Sequence, residues 1–75
     1  MSQRSQLIKE IHFLEEEIKE LEIKRSRSQA SLIEAMISHN DINDNDAQFF
    51  RTFTAEIEIK REQLQKLILQ LERIL

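Results

Sequence analysis

The run Asp41-Ile42-Asn43-Asp44-Asn45 sets oxygen-bearing side chains at alternate positions, as a calcium-binding loop begins. The glycine turn and the closing bidentate glutamate of such a loop are missing, because Asp46 and Thr52 stand at those places. The run therefore reads as a turn and helix cap. The carboxylates Glu15, Glu16, Glu17, Glu20 and Glu22 are dense enough to suggest a metal cluster. Consecutive helical residues point in different directions, so they form a solvated acidic face instead. Of the histidines, His12 and His39, neither belongs to a Glu-x-x-His or His-Glu-x-x-His pattern that would build a di-iron or zinc site. His39 is placed to meet Asp46 across the turn, or to put a charge at a helix C-terminus. The chain has no cysteine and no seryl nucleophile motif, so covalent catalysis has no candidate. No cofactor and no metal are expected, and the protein is read as a non-enzyme.

Positive charge gathers at Lys24, Arg25, Arg27, Lys60 and Arg61, the pattern to test for nucleic acid. Glu22, Glu56, Glu58 and Glu62 surround it, and no recognition motif or stacking aromatic accompanies it, which argues against that class of partner. Eleven Lys and Arg against fourteen Asp and Glu leave a net charge of −3, with both signs interleaved as on a solvated helical surface. Residues 1–9 contain no apolar stretch long enough for a secretory signal, and no segment approaches a membrane span of ~20 apolar residues. The expectation is a cytoplasmic protein without a membrane partner.

The elements behind these residues are legible in the apolar spacing. Glycine and proline are both absent, a third of the residues are charged and 40% are hydrophobic, the composition of long helices and coiled coils. From Leu7 the apolar positions advance by alternating fours and threes through Ile11, Leu14, Ile18 and Leu21. The seam continues through polar Arg25 and Ser28 to Leu32, Ala35 and His39. A second seam runs Phe50, Phe53, Ile57, Lys60, Leu64, Leu67, Leu71, Ile74. Between them, His39 to Asp46 is rich in short polar side chains that compete with helical hydrogen bonds. Asn45 followed by Gln48 resembles a capping box.

The expectation is an all-α fold, an antiparallel helical hairpin or two-helix coiled coil. It forms one domain over 1–75, with helix 1 at about 3–38, a turn at 39–45 and helix 2 at about 46–73. Folding back about a point between Ile42 and Asn43 pairs Ile11 with Ile74, Leu14 with Leu71, Ile18 with Leu67 and Leu21 with Leu64. It also pairs Ser28 with Ile57, Leu32 with Phe53 and Ala35 with Phe50. The hairpin core is thus expected at Ile11, Leu14, Ile18, Leu21, Leu32, Phe50, Phe53, Ile57, Leu64, Leu67, Leu71 and Ile74. The same register places Glu22 beside Arg61 and sets Arg25 against Lys60 as a polar layer that specifies register or partner.

Eleven further large apolar residues lie off the seams: Ile8, Phe13, Ile23, Ile33, Met36, Ile37, Phe49, Ile59, Ile68, Leu69 and Leu75. A lone hairpin cannot bury both sets, and contiguous apolar patches mark interfaces. Ile8, Ile68 and Leu75 at the open end, and Ile33, Met36, Ile37 and Phe49 at the turn end, are the expected partner or dimer interface. A homodimer forming a four-helix bundle is the leading expectation, and a helix of another protein laid into the groove is the alternative, as in small secretion chaperones. The function expected is an assembly or adaptor module, or else a small chaperone or inhibitor.

The segment Thr54-Ala55-Glu56-Ile57-Glu58 is similar, through its first Glu alone, to the Ser-Gln-Glu-Leu-Asp of short bacterial phosphatases that act on sporulation response regulators and are also helical hairpins. The Ser, Gln and Asp are absent, so that activity does not carry over. The plasmid-encoded RNA-binding hairpin that dimerises into a four-helix bundle is similar in expected architecture only, and architecture does not confer function.

Overall fold

Ser2 holds an extended backbone (φ −77°, ψ 152°) and its hydroxyl accepts a hydrogen bond from the Ser5 N–H at 3.2 Å, which opens the first helix. The structure is a computed structural model describing residues 2–75. Helix α1 runs Gln3–Ile37 and helix α2 runs Asp44–Ile74, packed side by side as an antiparallel hairpin. An unbroken run without glycine or proline lets α1 reach 35 residues.

α1 ends where local polar side chains and one left-handed residue stop it. The Asn40 N–H donates to the Ala35 carbonyl at 2.9 Å and the His39 N–H to the Met36 carbonyl at 3.3 Å. These two bonds are the Schellman arrangement, and it requires a positive φ at His39, which has φ 55°. Glycine fits that conformation without cost and histidine does not. His39 is exposed and, among the described residues, forms no ion pair with Asp46.

α2 starts earlier than the capping-box reading places it. Asn43, not Asn45, is the cap: its Oδ1 accepts from the Asn45 N–H at 2.8 Å and its carbonyl accepts the first helical bond, from Ala47, at 3.1 Å. This choice brings both Asp44 and Asp46 into the first turn, beside the positive end of the helix dipole, whereas a cap at Asn45 leaves Asp44 outside. At the other end Arg73 lies in the last turn, where a cation is favoured.

The connection therefore spans 38–43, and its midpoint falls between Asn40 and Asp41 instead of between Ile42 and Asn43. Moving the mirror point slides one helix past the other by about one turn. Ile57, expected beside Ser28, packs in one cluster with Ile18 and Leu21, with Phe53 and Leu64 against it. Lys60, expected to face Arg25, reaches Glu17 instead, with Nζ 3.0 Å from its Oε2.

The buried hydrophobics are Leu7, Ile11, Leu14, Ile18 and Leu21 of α1 and Ile57 of α2, the last with no exposed surface. Leu32, Phe50, Phe53, Leu64, Leu67 and Leu71 are half-buried. Ile74, expected in the core, is 39% exposed in the last turn of α2. The molecule measures 55 × 16 × 14 Å, with a radius of gyration of 17.0 Å. A globular chain of this length has about 11 Å.

The capping assignment makes a prediction for urea unfolding followed by circular dichroism. Asn43→Ala should cost about 1 kcal/mol and Asn45→Ala much less. His39→Gly should raise stability by roughly 0.5–1 kcal/mol, because it relieves the left-handed conformation.

Candidate interaction surface

The cross-helix ion pairs Lys60–Glu17 and Arg61–Glu22 define the sides of the hairpin. Lys60 and Glu17 meet at 3.0 Å with side chains 26% and 33% exposed, and Arg61 Nη2 donates to Glu22 Oε1 at 3.1 Å. On α1, Glu17 and Glu22 flank the seam on opposite sides, since five residues turn a helix by about 140°. One flank therefore carries Glu17 and Lys60 and the other Glu22 and Arg61. The second pair is the one the apolar registry placed side by side.

The acidic run disperses as helical geometry requires. Glu15 lies 4.0 Å from His12, Glu16 lies 3.5 Å from Lys19, and Glu17 and Glu22 reach across to α2. Among the described residues no group of three His, Cys, Asp or Glu side chains is placed to hold a metal ion. In the Asp41–Asn45 run, Asn43 is spent on capping and Asp44 and Asn45 belong to α2. Of the five clustered cations, Lys60 and Arg61 are each committed to a carboxylate of α1.

Among these charges the surface also presents many apolar side chains. All seven residues expected at an interface are exposed: Ile8 37%, Ile33 46%, Met36 59%, Ile37 74%, Phe49 53%, Ile68 40% and Leu75 72%. Heptad geometry groups them. Seven residues from Glu22 toward the open end stands Glu15 and then Ile8. Seven from Arg61 stands Ile68 and then Leu75. Because both helices advance about 10.5 Å per heptad, Ile8 and Leu75 end level with each other, with Ile68 between Leu75 and Arg61. In the other direction the same stripes reach Met36 and Ala47 at the turn end. Ile33, three residues before Met36, lies beside it on α1. The opposite flank receives Phe49, whose ring stacks on Phe53 at a centroid distance of 6.1 Å. Ile37 lies on the outer side of α1, between the flanks.

The Glu17 flank also holds an open groove that the seam pattern did not reveal. Phe13, Leu14 and Leu67 form its floor, with Lys9, Glu10, Glu17 and Lys66 around it. Phe13 is 67% exposed. Its signal in the sequence is local, an aromatic one turn from both Glu10 and Glu17 and next to seam residue Leu14. Arg25 is half-buried and Ser28 buried, so the middle of the α1 seam is polar.

No helix among the described residues is long and apolar enough to cross a membrane. Compared with known proteins, the chain matches no family model, no curated protein and no solved structure.

The two ion pairs differ in exposure, and their energies should differ with it. Double-mutant cycles in urea unfolding should give Lys60–Glu17 the larger coupling. Arg61–Glu22, with side chains 56% and 41% exposed, should fall within the ~0.2–1 kcal/mol of surface pairs. Raising salt should shrink the Arg61–Glu22 term more.

Proposed function

We propose that this chain is a non-catalytic assembly module, a helical hairpin that completes its core with the helices of a second copy and acts as a homodimer or adaptor built on one. The observation that carries this reading is the amount of surface left over. A folded monomer of 9.0 kDa exposes about 4,900 Å², and this hairpin exposes 5970 Å², about 1,100 Å² more. Among the described residues thirteen large hydrophobics are exposed against six buried, so much of the surplus is apolar. Its size matches the ~800 Å² that each partner contributes to a standard interface. A second hairpin covers the part of it on one flank by forming a four-helix bundle, in which each helix gains a second neighbour.

The groove floored by Phe13, Leu14 and Leu67 supports a second reading. In it a single amphipathic helix of another protein lies against the Glu17 flank, and the hairpin works as a chaperone or inhibitor of that partner. The two readings diverge in solution. A homodimer is highly helical alone, and its unfolding midpoint rises with protein concentration. A partner-dependent chaperone is poorly helical or heterogeneous until its client is added.

Sedimentation velocity at micromolar concentration should give a single species of twice the 9.0 kDa chain mass. Thermal unfolding should shift upward over a hundredfold increase in concentration. A folded monomer with a concentration-independent midpoint would exclude the assembly reading.

A further inference from the structure

We propose that two copies associate through the Glu22–Arg61 flank, related by a twofold axis running parallel to the helices. This deepens the assembly reading and rests on it. The flank is apolar at its two ends and charged at its middle. Ile8, Ile68 and Leu75 occupy the open end, Met36 the turn end, and Glu22 and Arg61 stand two heptads from each extreme. Its projected area, the product of the two longer molecular extents, is roughly 900 Å², the size one partner needs in a standard interface.

Charge selects the symmetry. A twofold parallel to the helices lays α1 of one copy over α2 of the other at the same level, so a flank complementary within one hairpin is complementary between two. Glu22 then faces the partner's Arg61, and Arg61 faces the partner's Glu22. The single bond from Arg61 Nη2 to Glu22 Oε1 leaves the guanidinium with further donors and the carboxylate with further lone pairs. Two such pairs close into a ring of alternating charge, and Ile8 meets the partner's Leu75 above it. The other twofold that brings these flanks together lies across the helices. It sets Glu22 against Glu22 and Arg61 against Arg61, and like charges held in an interface are unfavourable.

The chain has no cysteine, so single substitutions can report the arrangement. Glu15 and Ile68 stand level one heptad from the central pair, and Gln29 faces Glu15 only under the transverse axis. Glu15→Cys mixed with affinity-tagged Ile68→Cys, treated with a short bismaleimide, should give a covalent mixed dimer as the major product. Glu15→Cys mixed with tagged Gln29→Cys should stay uncoupled. Separately, Glu22→Arg and Arg61→Glu should each lose the dimer while the open half stays helical, and an equimolar mixture of the two should regain it. Coupling mainly through the 15/29 mixture would overturn the axis. A wild-type dimer that couples in neither mixture, or that survives both charge reversals, would overturn the face and leave the assembly reading standing. A wild-type monomer in sedimentation would remove both.

Discussion

Two helices lying side by side have no interior. Each can offer the other only the narrow stripe that faces it, and every residue off that stripe meets water. The rest of the structure follows from this geometry. Leu7, Ile11, Leu14, Ile18 and Leu21 of α1 are buried along the stripe, yet on α2 only Ile57 reaches full burial. Phe50, Phe53, Leu64, Leu67 and Leu71 stay half-covered, although they are as apolar and as regularly spaced. The limitation is the number of neighbours, and no change of side chain within the stripe removes it.

A heptad seam also leaves its own register open, since sliding one helix by seven residues again matches apolar with apolar. Polar groups close that freedom. Slipping α2 by a heptad toward the turn sets Lys60 level with Lys24 and takes Arg61 from Glu22 to Gln29. Slipping it the other way keeps carboxylates near both cations but shortens the overlap of the helices and uncovers the last turns of α1. The observed register, with Lys60 on Glu17 and Arg61 on Glu22, keeps both the charge match and the overlap. Surface ion pairs contribute little to stability, but the difference between a match and a like-charge clash is enough to choose among otherwise equivalent registers.

The same degeneracy explains what could be read from the sequence. The seams, the polar break between them and the exposure of all eleven off-seam hydrophobics follow from a period repeated over many turns, and each repeat reinforces the others. The register depended instead on one local contest, whether Asn43 or Asn45 caps α2. Both are good capping residues, and two nearby aspartates decide between them only once the dipole of the finished helix exists. The pairing of Lys60 with Glu17 was hidden for that reason, while Glu22 and Arg61 lie close under either cap. The Phe13 groove was hidden for another, because it is formed by both helices and has no period of its own.

The two halves of the hairpin are unequally held. All five buried hydrophobics of α1 lie from Leu7 to Leu21, after which the seam passes through half-buried Arg25 and buried Ser28. Beyond them, Leu32 and Ala35 are only half-covered, and the helix ends on a histidine in a conformation suited to glycine. The open half thus holds most of the buried side chains, whereas in the turn half the packing beyond Ile57 and Ser28 is partial. Ile33, Met36, Ile37 and Phe49 are exposed on this weaker half. Covering it helps twice, removing apolar surface from water and supplying the packing that the polar middle of the seam withholds. A hairpin built this way gains most from association where it is least stable alone, so folding of the turn half and assembly should be strongly coupled.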